Sequence, residues 1–207
     1  CISSVIMASK ISGTSVEYII IDDESTDDTL IKAMSQIGLW EYPQIKLITN
    51  PNNRGLASSS NVALKNARGK YIMRVDADDM IEPTAIKQML ARIKRDEAVI
   101  VYPNYYEYYG DDEYNIMQGW VHHHAGGAMM NKKVLNELKF KEDLKHWDSL
   151  ELYSRLKSLK NIKISYLQEP MFKYRKHKDS LSAQNTIERQ NAFNEIMKGI
   201  KGDRKTS

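Results

Sequence analysis

The sequence predicts an α/β protein, a mostly parallel, doubly wound sheet flanked by helices and followed by a smaller antiparallel section. Three observations carry this. Between residues 16 and 101, apolar and partly β-branched runs alternate four times with helical patterns, as parallel βα units do. Two of those runs end on acidic clusters, at 22–28 and 76–79, and doubly wound sheets bind ligands beyond the carboxyl ends of their strands. After residue 101 the texture changes, with Tyr102, Tyr105, Tyr106, Tyr108, Tyr109 and Tyr114 marking the aromatic, antiparallel part.

The chain opens at Cys1 inside a helical pattern, with Ile2, Val5 and Ile6 at helical spacing. We expect the protein's true beginning to lie upstream; a lipidated N-terminal cysteine is the rival reading. Val16 to Ile21 is a buried-type strand. Ser25 or Thr26 can cap the next helix, with Asp27 and Asp28 in its first turn, where carboxylates suit the helix dipole. That helix is expected to stop at Gly38. Ile45 to Ile48 reads as a strand, NPNNRG (50–55) as a loop, and Leu56 to Ala67 as a helix of small residues. Tyr71 to Val75 is the central strand. Pro83 opens a helix at its permitted first position, running to about Arg95, and Ala98 to Val101 is the next strand.

Beyond that lie a histidine-glycine loop (122–128), a short strand at Met129-Met130 and a short helix from Val134 to Leu138. A longer helix spans Trp147 to Leu159, and strands follow at Ile162–Leu167 and Met171–Tyr174. The terminal helix, Ile187 to Ile200, puts Phe193, Ile196, Met197 and Ile200 on one side. It is expected to dock on its own domain, although its basic end leaves peripheral membrane association open. Lys201 to Ser207 reads as a frayed charged tail.

At 207 residues the chain suits one domain or one domain with an appendage. A net charge of only +3 gives no mark of a nucleic-acid binder. Its single cysteine, Cys1, excludes an internal disulfide and suits a reducing compartment. No apolar run approaches the roughly 20 residues of a membrane span.

The chemistry concentrates in YIMRVDADD, residues 71–79. Side chains two apart on an extended backbone point the same way, so Asp76 and Asp78 can aim at one point. Two converging carboxylates repel unless a cation lies between them. Mg²⁺ and Mn²⁺ accept such oxygens and often share them with a substrate phosphate. The pattern therefore suggests a metal–diphosphate site; the rival is a polar loop whose aspartates cap the next helix.

Four stretches together resemble family 2 glycosyltransferases with the GT-A fold. VEYIIIDDESTDDT is similar to that family's E-I-I-V-V-D-D-G-S-T-D-G-T. NPNNRGLASSSNVALKNARGKYIMRVDADDMIEP resembles its block ending in the Asp-x-Asp motif. FKEDLKHWDSLELYSRL and YLQEPMFKYRKHKDSLS resemble its C-terminal half. Their order and spacing cover most of residues 16–182. The resemblance implies transfer of a sugar, hexosyl or N-acetylhexosaminyl, from a nucleotide-diphosphate donor, a UDP-sugar, to an acceptor hydroxyl, with inversion. It implies that Asp22 and Asp23 contact base and ribose and that Asp76 and Asp78 hold metal and diphosphate. Arg175 and His177 would close over the diphosphate, with His177 a third metal ligand, and Asp148 would be the general base.

It further implies residues 1–101 as the nucleotide-sugar half, 102–182 as the acceptor half and 183–207 as a terminal helix and tail. The acceptor would be a glycan or lipid-linked glycan in polysaccharide synthesis, and the location cytoplasmic, at the inner membrane face. Chemistry agrees: the departing diphosphate needs cations such as a metal and Arg175, whose planar fork matches phosphate oxygens. A sugar hydroxyl needs a base.

The chain departs from the pattern in four places. The family's opening strand, roughly V-S-V-I-I-P-T-Y-N, is not seen. Glu24 replaces a glycine after the acidic pair. Ser60 replaces an arginine, with Arg54 the candidate substitute for its phosphate or base contact. Asp148-Ser149 replaces Glu-Asp, leaving Glu142 and Asp143 as rival bases. His122, His123 and His124 suit a loop near the acceptor better than a metal centre, because adjacent side chains diverge. Most of the tyrosines suit core packing rather than sugar stacking. A receiver domain would need a later Lys-Pro, and a haloacid-dehalogenase phosphatase would want Thr or Val where Met80 stands. The non-enzyme alternative is an inactive sugar-nucleotide-binding module of a larger synthesis protein.

Overall fold

The protein's structure, a computed structural model, describes all residues except 41, 43, 110–112, 178–186 and 203–207. The end of the YRKHKDSLS word and the charged tail beyond Gly202 therefore lie outside the described residues.

The first strands form a parallel pair: β1 (Tyr18–Asp22) lies on β2 (Ile45–Thr49), Tyr18 opposite Ile45 and Asp22 opposite Thr49. Helix α1 (Ile2–Ser12) precedes β1, α2 (Thr29–Trp40) connects the two, and α3 (Gly55–Asn66) follows β2. Asp27, rather than Ser25 or Thr26, starts α2, its Oδ1 accepting the Thr29 N–H at 2.9 Å. Gly38 stays inside the helix, which runs on to Trp40.

The second sheet has the order β3-β7-β5-β8-β4, with β6 also on β5. Its strands are β3 (Tyr71–Met73), β4 (Met80–Ile81), β5 (Ile100–Tyr109), β6 (Glu113–Met117), β7 (Met129–Asn131) and β8 (Ile164–Lys176). β5 and β8 are parallel, and β7 runs antiparallel to both β3 and β5. So β3, β5 and β8 share one direction, as the strand-helix alternation predicts, while β7 is interleaved against them and the β5–β6 hairpin supplies the antiparallel section.

Two features escape sequence reading. β4 is only two residues long, and the two strands expected at 162–174 are one. The register between β5 and β8 shifts around Asn104, which faces Pro170. The Asn104 amide donates to the Gln168 carbonyl at 2.7 Å and its oxygen accepts the Gly119 N–H, so the irregularity carries Pro170 through the sheet.

Helices cover both faces, the doubly wound arrangement. On one face, Val5 and Ala8 of α1 and Ile86, Met89 and Ile93 of α4 (Ala85–Arg95) pack with Val101, Tyr105 and Phe172. The one-turn α5 (Gly119–His122) follows β6. On the other face, Ala57 and Leu64 of α3, Leu135 of α6 (Lys132–Leu138) and Leu152 and Leu156 of α7 (Asp148–Ser158) pack with Ile100, Tyr102 and Met130. Tyr102, Tyr105 and Tyr108 are buried, as expected, whereas Tyr109 and Tyr114 are exposed. The terminal helix α8 (Ile187–Gly202) docks on its own domain: Phe193 packs on Trp147 at 5.0 Å, and the indole N–H donates to the Arg189 carbonyl. Among the described residues no helix is long and apolar enough to cross a membrane.

The strand edges of β1 and β3 that carry no partner strand among the described residues line a common cleft of about 1440 Å³. Ile19, Ile20, Ile21, Tyr71, Ile72 and Met73 form its apolar walls, and Asp22, Asp23, Arg74 and Asp76 also line it. Both acidic strand ends thus open on one space.

Candidate functional site

The site begins with backbone direction. β3 ends at Met73, and the chain continues through Arg74, whose carbonyl accepts the Gly127 N–H at 2.8 Å, into the turn closed by Asp79 N–H on the Asp76 carbonyl. Arg74 and Asp76, two apart, lie side by side: Arg74 Nε is 3.0 Å from Asp76 Oδ1. The other end of the guanidinium, Nη1, meets Asp148 Oδ2 at 2.5 Å. Asp148 opens α7, so the residue proposed as base is carried into the site by a helix start. Burial raises the Asp148 carboxyl, and Arg74 more than offsets this, leaving it below the usual carboxylate value. Burial raises Asp76, aided by Asp148 and Asp78 and opposed by Arg74.

The next pair faces outward. Asp78 Oδ2 and His177 Nε2 meet at 3.3 Å, about 40% exposed on each side (41% and 39%). They are 99 residues apart, and Asp79 joins them. It is 1% exposed, and its Oδ1 accepts the Arg175 N–H at 3.0 Å, fastening the end of β8 to the acidic turn. Burial pushes the Asp79 carboxyl up to about 8. The Arg175 side chain is exposed.

The first acidic cluster behaves differently. Asp23 accepts the Gly55 N–H at 2.7 Å, the Arg54 N–H and the Asn50 amide, and so caps α3 from a distant loop. Desolvation raises its carboxyl, and these donors together bring it below the usual value. Asp22 is buried, and its Oδ1 has no hydrogen-bond partner among the described residues. The Arg54 guanidinium lies 3.7 Å from Glu142, which also accepts from Asn61.

Asn61 closes the gap between the two clusters. Its amide donates to the Phe140 carbonyl and its oxygen accepts the Phe140 N–H, both at 2.9 Å. The Phe140 ring lies 5.3 Å from the Arg74 guanidinium. The histidines form an aromatic wall: His123 stacks on Tyr153 at 3.5 Å, and His124 faces Tyr174 at 4.9 Å and Tyr105 at 5.2 Å. Burial pushes His124 down to about 4. The loop after them turns on Gly127 (φ +77°), where a Cβ would sit 2.3 Å from the Phe172 ring.

The structure therefore brings Asp76 to Asp148 through Arg74, Asp78 to His177, and Arg175 to Asp79; of the expected site residues Asp22, Asp23 and Asp76 line the cleft, and Arg54, Asp78, Asp148, Arg175 and His177 lie outside its lining. Sequence reasoning missed Arg74, Asp79 and Asn61. Arg74 carried a signal, a full charge inside an otherwise apolar strand on the same side as Asp76.

Asp78 and His177 are of residue types that can ligate a divalent ion. Asp78 and His177 are donors already in contact, yet among the described residues no three His, Cys, Asp or Glu side chains form a ligand group. One or two carboxylates completed by substrate phosphate oxygens is the usual arrangement for Mg²⁺, which Asp78 and the nearby Asp76 would supply.

A doubly wound arrangement with carboxylates gathered at strand ends defines an α/β protein of the kind that places ligands beyond those ends. The chain belongs to glycosyl transferase family 2, whose model matches residues 1–179. A chondroitin synthase of Escherichia coli is 39% identical over 83 residues, 40% of this chain and 12% of that protein. A glycosyltransferase of Haemophilus influenzae is 28% identical, covering 90% of this chain and 63% of that one. The crystal structure of S. aureus TarS 1-349 in complex with UDP-GlcNAc superposes with a TM-score of 0.75 at 20% identity, over 96% of this chain and 61% of that one. It shares the fold. The chain spans less than two thirds of each of these proteins.

Proposed function

We propose that the chain is the nucleotide-sugar-binding and catalytic part of an inverting, metal-assisted glycosyltransferase. The observation that carries this reading is the Arg74 bridge. It brings Asp148, from the second half of the chain, to Asp76, at the strand end where a diphosphate would lie. In this reading the acceptor hydroxyl gives its proton to Asp148 as its oxygen attacks the anomeric carbon. The bond to the nucleotide diphosphate breaks in the same displacement, and the leaving group takes the electron pair. No enzyme nucleophile is required.

Asp22, with its unpartnered buried oxygen, and Asp23 would recognise base and ribose. Asp78 and His177, with Asp76 beside them, would hold Mn²⁺ or Mg²⁺, which when bound supplies positive charge against the departing diphosphate. Arg175 and Arg54 would add charge at the phosphates. The matched relatives, a chondroitin synthase among them, support a hexosyl or N-acetylhexosaminyl donor carried on UDP and a glycan or lipid-linked glycan acceptor in polysaccharide synthesis. A cytoplasmic site of action at the inner membrane face follows from that setting.

Calorimetric titration of UDP and GDP, with and without Mn²⁺, tests the donor site. UDP should bind only with Mn²⁺, and Asp78→Ala should weaken it about tenfold or more, the worth of one charge-assisted contact. Binding that ignores both metal and Asp78 would overturn the metal assignment, and preference for GDP would overturn the donor.

A further inference from the structure

We propose that Arg74 is a positioning residue that fixes Asp148, the base, and Asp76, at the diphosphate, in one relation to each other. The proposal rests on the reading of Asp148 given above.

The geometry is specific to a guanidinium. Nε faces Asp76 and Nη1 faces Asp148, so the two carboxylates occupy different edges of one rigid plane. A lysine ammonium is a point charge on a flexible stem and sets no angle between two partners. The fork is held along its backbone and on one face, while Nε lies 3.0 Å from Asp76 Oδ1 without forming a hydrogen bond. Its backbone is fixed by the Gly127 N–H and by a bridge to Gly126. Its face lies against Phe140, itself locked at both backbone groups by Asn61 of α3. Gly126 leaves room: a Cβ there would stand 3.3 Å from Asp76 Oδ2.

Stability alone does not explain such a trio. The three side chains are only 13%, 24% and 16% exposed, and buried ion pairs rarely repay their desolvation against an apolar replacement. What the trio does supply is a fixed distance between a base and a leaving-group site, set by an arginine that lies 74 residues before the base in sequence. Displacement chemistry is sensitive to that distance, since a misplacement of about 1 Å can cost on the order of 10²-fold in rate.

The test compares Arg74→Lys, Arg74→Ala and Asp148→Asn in the full chain. Turnover is read as UDP release from UDP-glucose and UDP-N-acetylglucosamine, and UDP affinity by titration. Both Arg74 variants should bind UDP within about threefold of the parent while turnover falls about 10²-fold. Millimolar guanidinium should restore part of the Arg74→Ala turnover and none of the Asp148→Asn turnover. Should Arg74→Ala fail to fold, Arg74→Lys decides by the same turnover and affinity. Parent-like turnover in either Arg74 variant beside an inactive Asp148→Asn would overturn the positioning role and leave the base standing. Parallel loss of UDP binding and turnover without guanidinium rescue would reduce Arg74 to a structural residue. A fully active Asp148→Asn would sink the base, and this proposal with it.

Discussion

Strands β1 and β5 are written in similar letters, YIIID and IVYPNYYEYY, and the fold treats them differently. β5 lies between β7 and β8, carries helices on both faces, and buries Ile100, Val101, Tyr102 and Tyr105 to 1% exposure or less. Among the described residues β1 has a strand on one edge only, and Ile19, Ile20 and Ile21 stay half-buried along the cleft. Apolar sequence gives a strand its tendency to be covered; the number of neighbours decides whether it is. The β5 side secures its strands by packing on both faces, whereas the β1 side is secured in part by polar contacts such as those of Asp23.

That contrast predicts unequal sensitivity to the same kind of deletion. Phe172→Ala removes a ring stacked on Tyr105 at 4.8 Å and 1% exposed, and should cost about 3–5 kcal/mol in urea unfolding. Ile20→Ala removes a side chain that remains partly in solvent and should cost only about 1 kcal/mol. Equal losses would break the comparison and mean that β1 is covered in solution as fully as β5.

The aromatic wall of the β5 side should also respond to pH. Burial pushes His124 from about 6.5 to about 4, so the folded state holds it neutral where the unfolded chain protonates it. Its contribution is complete above about 6.5 and is lost as pH falls toward 4, amounting to roughly 2 kcal/mol by pH 5. Asp79, raised to about 8, titrates with the opposite sign, so the parent's own profile mixes the two. The difference between parent and His124→Phe isolates the imidazole. Relative to the parent, the variant should gain stability between pH 7 and pH 5, and a constant difference would place His124 in solvent.

The same contrast marks what could be read from the residues. Helices α3, α4 and α7 and strand β7 were legible because their periodicity and punctuation are local. The Asp-x-Asp turn and its neighbour His177 were legible because chemistry and family resemblance both point there. β4 was not, because a two-residue strand exists only through its pairing with β8. The continuity of β8 was hidden by Pro170, which reads as a break until Asn104 is seen opposite it. Arg74 announced a buried charge but not its partners, since Asp148 arrives from another helix. Asp23 was read as a ligand residue, and its hydrogen bonds to the start of α3 depend on a loop meeting that no local pattern encodes.

Asp23 gives the smallest effect and the sharpest test of the polar side. Its carboxylate satisfies the Gly55 and Arg54 N–H groups at the start of α3, where Arg54 itself offers no side-chain cap. Asp23→Ala should cost about 1 kcal/mol, the ordinary worth of a helix cap, seen as a lower thermal midpoint. Asp23→Asn keeps an acceptor oxygen and should recover much of that. If Asn restores the midpoint while UDP affinity stays low, the charge of Asp23 serves the nucleotide and its geometry serves α3. If Asn restores both, the carboxylate is a cap alone and recognition of the nucleotide rests on Asp22, whose buried oxygen has no partner among the described residues.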